Sequence, residues 1–269
     1  MKTIFLYGIL LAGAAMAAFP LVWMLGTALK SVQEAASPEF NLIPNEVHWE
    51  NIRETLNAAP FGRYFANTLF VSGTITIAVC FTSIPAGYAF ARLRFRGAGV
   101  LFALMLATMM VPFEITLIPN FILIQRFGWY DTYQALIVPW CASAFSVFLM
   151  RQGFQGIPGD YFDAGRVDGC GHLRFLWWVG VPLVRPMLVT VSLFAFLGSY
   201  NALVWPLIVT GTDEMRLVQV GLTVFSGAEG VRYNLLMCAA AIVIAPTVLL
   251  YFAAQRYFME GSLSAGIKG

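Results

Sequence analysis

The residues of this sequence that could do chemistry are few and widely separated. His48 and His172 lie far apart, and the four cysteines have none of the spacings typical of a metal site. No G-x-x-x-x-G-K-[ST] segment is present, so the chain lacks the usual loop that holds the phosphates of ATP. Apart from the adjacent pair Asp213-Glu214, the acidic residues are separated from one another along the sequence. The sequence therefore predicts no disulfide, no metal centre and no enzyme.

Glu114 is the one charged residue inside the long apolar runs of the sequence. A carboxylate at mid-bilayer costs about 2.5–3.5 kcal/mol on insertion scales, so Glu114 is predicted to face a polar pathway or a partner protein. A buried structural carboxylate, protonated or bonded to a neighbour, is the alternative. Asn120 is placed similarly, and Pro112 and Pro119 would loosen the surrounding helix and expose backbone polar groups. Glu114 and Asn120 are therefore candidate contacts for a solute.

The composition indicates that lipid surrounds most of the chain. Hydrophobic residues make up 59% and charged residues 11% of the sequence, and the mean hydropathy is +0.75. A soluble domain carries about 25% charged residues. The net charge of +2 gives no reason to expect nucleic acid as a partner. The basic cluster Arg92-Leu93-Arg94-Phe95-Arg96, beside an apolar run, is typical of a membrane-edge anchor.

Six apolar segments are long enough to cross a bilayer as helices, which takes about 20 residues each. Backbone polar groups in lipid must be paired within their own segment, and this favours helices over strands. The sequence predicts an all-α integral membrane protein with a single transmembrane domain, residues 1–269. A short external helix is expected near Trp49 to Leu56. The predicted spans are about 4–29, 65–91, 98–124, 132–150, 184–210 and 233–256.

The first span could also be a signal peptide with a cleavage site at Ala15-Met16-Ala17. Its apolar run continues well past that point, through Phe19 to Leu25, and this favours an uncleaved helix. With the N-terminus inside, ten of the 16 Lys and Arg residues fall on the inner side. Inner loops of membrane proteins carry the excess of basic residues, so both termini are predicted to be cytoplasmic.

The connector at about 152–181, between the fourth and fifth spans, has the local signals of a helix-turn-helix. Pro158 suits the first turn of a helix. That helix is expected to run to Asp168 and to stop at Gly169, which can take the left-handed conformation. A second short helix, His172 to Gly180, would then lead into the fifth span. The pair is predicted to lie on the inner membrane surface rather than across the membrane.

Two small neighbours on the first of these helices, Ala164 and Gly165, would let another protein approach closely. Apolar surface from Phe162, Phe175 and Trp178 suits an amphipathic helix that docks into a groove. An interfacial helix that rests on lipid headgroups is the alternative.

The same connector resembles the E-A-A-x3-G-x9-I-x-L-P signature of the permeases of bacterial binding-protein-dependent ABC importers. Asp163-Ala164-Gly165 occupies the E-A-A position, and Gly169, Val179 and Val181-Pro182 follow at the spacing of the signature. The four departures (Asp for Glu, Gly for Ala, and Val for Ile and for Leu) are conservative. Arg166-Val167-Asp168-Gly169 is also similar to the A-R-I-D-G-A form found in these proteins. The spacing and the position between two spans together favour this family.

The resemblance extends over nearly the whole chain and is strongest to the carbohydrate-uptake subgroup, which includes maltose-type and glycerol-3-phosphate-type permeases. It rests on Val111-Pro112, Leu117-Ile118-Pro119, the segment Arg126 to Tyr133 and the ending Glu260 to Gly269.

The fifth span is similar to the W-N-x-x-x-x-P stretch of the same subgroup. Here Tyr200 stands in place of Trp and is followed by Asn201, with Trp205 before Pro206. An amide with flanking aromatic rings can hydrogen-bond to a sugar and stack on it. The same residues can instead join helices to one another. Tyr200, Asn201 and Trp205 therefore join Glu114 and Asn120 as candidate substrate-pathway residues.

The resemblance implies a permease that forms half of a transmembrane pathway in a bacterial cytoplasmic (inner) membrane. The implied partners are a second homologous permease, two copies of a cytoplasmic ABC ATPase and an external solute-binding protein, beside the lipid bilayer. ATP and Mg²⁺ would be bound by the ATPase, and this chain would carry no cofactor. The residues implied in coupling to the ATPase are Asp163, Ala164, Gly165, Arg166, Asp168, Gly169 and Pro182.

The transported solute stays open between two classes. A carbohydrate or related polyol is favoured, and glycerol-3-phosphate or a glycerophosphodiester is the alternative. The partner permease could bind the solute instead of this chain. A secondary transporter would have the same hydropathy, but it would not need the 157–182 loop and would be expected to show inverted repeats.

Overall fold

A computed structural model describes residues 2–227 and 230–265, with side chains for residues 3–227, 230–252 and 255. The described part is almost entirely helical, with one antiparallel sheet of two strands, β1 (Ser226–Gly227) and β2 (Gly230–Val231). Short 3₁₀ segments cover Val138–Trp140 and Leu222–Phe225, and a π-helical segment covers Leu176–Gly180. The α-helices are α1 (Lys2–Ala28), α2 (Val32–Ala36), α3 (Glu50–Ala58), α4 (Phe61–Arg92), α5 (Ala98–Thr108), α6 (Phe113–Arg126), α7 (Tyr133–Ile137), α8 (Ala144–Gln155), α9 (Gly159–Val167), α10 (His172–Phe175), α11 (Val181–Leu183), α12 (Arg185–Tyr200), α13 (Val204–Val209), α14 (Val218–Gly221) and α15 (Tyr233–Ala265).

Three helices are long and apolar enough to cross a membrane by themselves. They are Thr3–Ala28 within α1, the whole of α4, and Tyr233–Phe252 within α15. Three further pairs of helices reach that length and apolarity together, but each pair is bent at a short break. The described residues thus contain three candidate spans, or up to 6 when each bent pair counts as one span.

The third, fourth and fifth predicted spans are each interrupted in the structure, so these three predicted helical spans are seen there as pairs of shorter helices. α5 and α6 differ in direction by 93°, and Tyr133–Trp140 and α8 differ by 41°. In the fifth span, α12 ends at Tyr200 and α13 begins only at Val204. Pro206 has no N–H to offer the carbonyl four residues earlier, which favours a break at that point. Hydropathy averaged over a span does not register such breaks, because each break is only three or four residues long and has apolar residues on both sides.

The prediction that two prolines loosen the third span holds for one of them. Pro112 is the residue immediately before α6, at the end of the break that follows α5. Pro119 lies inside α6, which continues to Arg126.

The chain forms two compact units, the first of which comprises Met1–Tyr64 and Val218–Leu250. At its centre the buried Asn51 of α3 donates to the carbonyls of Ala28 and Lys30, each at 2.9 Å. Its Oδ1 accepts a hydrogen bond from Nδ2 of Asn234 at 3.2 Å. This one amide therefore joins the end of α1, α3 and the start of α15. The sequence predicted a short helix at the place of α3.

The second unit is centred on Phe65–Leu217. α4 and α8 approach one another closely at Gly87, where a Cβ would lie 2.6 Å from Cβ of Met150 and 2.8 Å from the backbone nitrogen of Arg151. Small residues allow such close approach of helices in membranes. All the candidate site residues lie in this unit, so its packing decides their positions.

Candidate functional site

The first helix of the 152–181 connector is observed close to where the sequence places it. α9 runs from Gly159 to Val167, with Pro158 immediately before it. Gly169 has a φ of 68°, and the N–H of Cys170 donates to the carbonyl of Gly165 at 2.8 Å. A left-handed residue followed by such a bond ends a helix, as the sequence predicted.

The second helix of the connector is longer than predicted. It starts at His172, as expected, and continues through the π-helical segment into α11, which contains Pro182. The helix His172–Leu183 and α12 differ in direction by 83°, with the bend at Val184. Pro182 therefore lies inside the helix before the bend, and the chain turns two residues later.

The two connector helices pack together through aromatic rings. The ring centroids of Phe162 and Phe175 are 4.4 Å apart, and the ring of Tyr88, from α4, lies 6.5 Å and 6.4 Å from them. Gly165 faces this cluster: a Cβ added there would lie 2.9 Å from Cδ2 of Phe175. The signature has alanine at this position, and this chain has glycine. The Phe175 ring explains the difference, because it leaves no room for the methyl group of an alanine.

Arg92, at the end of α4, binds the start of the connector through hydrogen bonds to backbone carbonyls. Its guanidinium donates to the carbonyl of Phe154 at 2.7 Å from Nη2 and 3.0 Å from Nε, to the carbonyl of Gln155 at 3.3 Å, and to the carbonyl of Ile157. It also lies 4.1 Å from the centroid of the Phe162 ring. A planar guanidinium can make all these contacts at once, and an ammonium group cannot.

The sequence predicted a membrane-edge anchor for Arg92 and no role for Tyr88 or His172, so it missed this arrangement. The Tyr88 hydroxyl lies 3.0 Å from Nδ1 of His172. The partners of Arg92 follow it by more than 60 positions in sequence. Only the length and planarity of an arginine beside an apolar run could have suggested such contacts.

The opposite side of the connector is exposed and partly apolar. Val167 is 88% exposed, Leu173 74% and Trp178 78%. Ala164 is also exposed, and Asp163 and Arg166 form an exposed ion pair at 3.6 Å. Several large apolar side chains exposed on one short connector, beside charged ones, favour an interaction surface. Of the predicted coupling residues, Gly165 faces inward, whereas Ala164, Arg166 and Asp168 lie on the exposed side.

The five predicted pathway residues occupy different environments. Tyr200 and Trp205 are buried, and Nε1 of Trp205 donates to the carbonyl of Ala135 at 2.9 Å. Asn201 is exposed at the end of α12, and Glu114 is exposed in the first turn of α6, where a carboxylate favours the positive end of the helix. Asn120 is partly buried. Trp205 is the one member of this group that lines the cavity of the second unit.

That cavity, of about 470 Å³, is formed by residues on both sides of the helix breaks. Thr108 is the last residue of α5 and Met109 follows it, whereas Trp140 ends the 3₁₀ segment Val138–Trp140 and Ser143 precedes α8. Its size lies within the range of about 300–1,000 Å³ typical of small-molecule sites. The sequence missed it because the cavity depends on breaks in three spans that hydropathy shows as continuous.

Asp131 forms the main polar cluster of the connection between α6 and α7. Its carboxylate accepts hydrogen bonds from the N–H of Gly211 at 2.8 Å and from the N–H and hydroxyl of Thr212 at 3.1 Å and 2.7 Å. Burial opposes ionisation, but these bonds and the charge of Arg216 together hold the pKa of Asp131 below its usual range. The carboxylate thus ties this connection to the segment that follows α13.

Comparison with known proteins agrees with this architecture. A family described as "Binding-protein-dependent transport system inner membrane component" matches residues 83–260, more than half of the chain. An arabinooligosaccharide transport system permease protein of Halalkalibacterium halodurans is 31% identical over 259 residues, covering 95% of this chain and 93% of its own. An sn-glycerol-3-phosphate transport system permease protein of Yersinia enterocolitica is 30% identical over 267 residues, covering 96% and 95%.

A solved structure has the same fold. The crystal structure of a bacterial ABC transporter that imports the acidic polysaccharide alginate contains a chain that matches with a TM-score of 0.83 at 23% identity. The match covers 96% of this chain and 97% of that one. The chain belongs to the family of inner membrane components of binding-protein-dependent transport systems, and it is a membrane permease subunit rather than an enzyme.

Proposed function

We propose that this chain is one of two permease subunits of an ATP-driven importer, and that its 157–182 loop docks on a cytoplasmic ATPase. In this proposal the chain crosses the bacterial inner membrane six times, with both termini in the cytoplasm. A second permease, two ATPase copies and an external solute-binding protein complete the importer. ATP and Mg²⁺ would be held by the ATPase, since this sequence has no phosphate-binding loop.

The observation that carries the proposal is the division of the loop into two sides. One side is fixed to α4 by Arg92 and by the aromatic cluster of Tyr88, Phe162 and Phe175. The other side presents exposed apolar residues, among them Val167 and Leu173. A helix that is rigidly held on one side and open on the other can receive a push from a docked protein.

The same contacts suggest how a movement of the loop would be transmitted to the transmembrane helices. Movement of α9 would act on α4 through the guanidinium of Arg92, which also holds the end of α8 at Phe154. It would act on α12 through the 83° bend at Val184. ATP-driven closure of the ATPase pair would thereby change the arrangement of three spans.

A carbohydrate or related polyol is the proposed solute. The arabinooligosaccharide permease of Halalkalibacterium halodurans supports this class, and the sn-glycerol-3-phosphate permease of Yersinia enterocolitica supports the alternative of a phosphorylated solute. A secondary transporter remains the rival of another class, and the loop with its exposed apolar residues argues against it.

The test is co-purification of the ATPase and solute-stimulated ATP hydrolysis in the reconstituted complex, with Ala164→Arg in the loop. Ala164 is exposed, so the substitution leaves the packing of the loop intact. Ala36→Arg, an exposed alanine of α2, is the matched control. Loss of both signals in the first variant alone supports the proposal. Equal behaviour of the two variants would mean that the loop only rests on lipid, and the secondary transporter would gain support.

A further inference from the structure

Three interrupted spans contribute to one cavity in the second unit. The segments between α5 and α6, between Trp140 and α8, and between α12 and α13 are not helical, and each of the three breaks supplies lining residues. In hydrocarbon, non-helical backbone is tolerated where protein buries it or where it lines a water-filled space. In secondary transporters, discontinuous helices of this kind form the solute site. The cavity is therefore the place where this chain can offer polar groups to a solute at membrane depth.

The chemistry of the lining is polar but uncharged. Thr108, Ser143, Ser146 and Ser199 contribute hydroxyl groups, and none of the described residues that line the cavity is charged. The hydroxyl of Ser143 already accepts a hydrogen bond from the N–H of Ser146 at 3.2 Å. Hydroxyls of this kind both donate and accept, as sugar hydroxyls do.

Two indole rings line the same cavity as these hydroxyl groups. Trp140 and Trp205 both line the cavity, with their ring centroids 6.2 Å apart at an interplanar angle of 79°. The indole N–H of Trp205 is already used by the carbonyl of Ala135, which fixes that ring. Trp140 is 37% exposed, so part of its side chain is open to a ligand. Apolar faces beside hydroxyls suit the apolar and polar faces of a sugar ring.

We infer that this cavity is a solute site of the permease and that it takes a neutral polyhydroxylated solute of sugar type. A phosphorylated solute would enter a site with no cation to offset the charge, and burying an unpaired charge is strongly unfavourable. The inference rests on the proposed function and adds to it: the solute contacts this chain, and it is uncharged. Ser199 and Trp140 are its direct contacts.

Two glycines give a matched pair of variants for the test. A Cβ added at Gly198 in α12, or at Gly73 in α4, would have none of its neighbours within 4 Å. Gly198 lines the cavity, and Gly73 does not. Gly198→Leu therefore places a larger side chain at the cavity wall, and Gly73→Leu makes the same change in α4, at a residue that does not line the cavity.

The experiment measures ATP-driven uptake into proteoliposomes that hold the complete importer with its binding protein. The solutes are a panel of neutral mono- to tetrasaccharides and a panel of sn-glycerol-3-phosphate and glycerophosphodiesters. The wild-type complex is expected to take up a neutral solute. Gly198→Leu should slow that uptake about tenfold or more, and Gly73→Leu should leave it nearly unchanged. Ser199→Ala, which removes one hydroxyl, should raise the KM about fivefold with the maximal rate preserved.

Three results would overturn the inference. The first is uptake by Gly198→Leu equal to that by Gly73→Leu, which places the solute outside the cavity while the permease function stands. The second is uptake of a phosphorylated solute in preference to neutral ones, and the third is uptake of neither panel. Failure of the proposed function is recognised separately, by absence of the ATPase from the purified complex.

Discussion

The Tyr88 hydroxyl lies 3.0 Å from Nδ1 of His172, and this contact joins the C-terminal end of α4 to the first residue of α10. A neutral hydrogen bond of this kind contributes about 0.5–1.5 kcal/mol to stability. Tyr88→Phe keeps the ring that packs on Phe154 and removes the hydroxyl. We expect it to lower the free energy of unfolding of the purified complex by about 1 kcal/mol.

A double-mutant cycle checks the assignment of that loss. With His172→Ala alone and with both substitutions together, the coupling energy between the two positions should be about 0.5 kcal/mol or more. Strictly additive losses would show that the two side chains act independently.

Arg92 is predicted to resist replacement by lysine. Arg92→Lys keeps the charge, but it loses the fork that reaches the carbonyls of Phe154, Gln155 and Ile157 together. The connector should then open more often, and trypsin should cleave it faster after Arg166 and Arg174. Arg94→Lys, an exposed neighbour on the same stretch, is the control and should leave the cleavage rate unchanged. Equal protection in the two variants would contradict the role of Arg92.

Gly165 is predicted to tolerate no methyl group. In Gly165→Ala the new Cβ would lie 2.9 Å from the Phe175 ring, which is buried and packs against Phe162. Overpacking of this kind costs about 1–3 kcal/mol, measured as a lower midpoint of thermal unfolding. Gly159→Ala on the same helix, where nothing lies within 4 Å, should be neutral.

A second substitution makes the cause of that loss testable. Phe175→Leu removes the ring edge that meets the new methyl group, so Gly165→Ala should cost less in the Phe175→Leu background than in the wild type. A loss of the same size in both backgrounds would point to the helix itself rather than to the ring.

Asp131 is predicted to make stability depend on pH in the acidic range. Its folded pKa is lower than the value of about 3.9 in an unfolded chain. The ionised carboxylate therefore adds stability in full above the unfolded value, and that stability is lost as the pH falls through the folded pKa.

Thermal unfolding of the complex between about pH 3 and pH 6 measures this effect. Asp131→Asn should flatten the dependence, and Thr212→Val, which removes one donor at 2.7 Å, should weaken it. An unchanged pH profile in Asp131→Asn would assign the dependence to other groups.

Local signals in the sequence predicted the local structure well. Pro158 and Gly169 mark both ends of α9 because each acts through its own backbone conformation, and no distant partner is needed. The three helices that are long and apolar in the structure were also visible as apolar runs of sufficient length.

Features that depend on distant partners were not predictable in the same way. The carbonyls that Arg92 binds, and the ring that Gly165 faces, are set by the packing of α8, α9 and α10, which no local pattern encodes. The break at Asn201 to Leu203 has apolar helices on both sides, so a hydropathy profile shows one continuous apolar segment there. For this reason the sequence selected Tyr200 and Asn201 near the cavity but missed Ser199 and Trp140, which line it.

Photo-crosslinking from the exposed side of α9 tests the central claim most directly. A photoreactive amino acid at position Val167, which is 88% exposed, should form an adduct with the ATPase subunit in membranes. The same amino acid at position Val47, which is 49% exposed in a segment predicted to be external, should form none. An adduct at the first position alone would place the loop on the ATPase. Adducts at neither position, in a complex that still hydrolyses ATP in response to solute, would contradict the docking role of the loop.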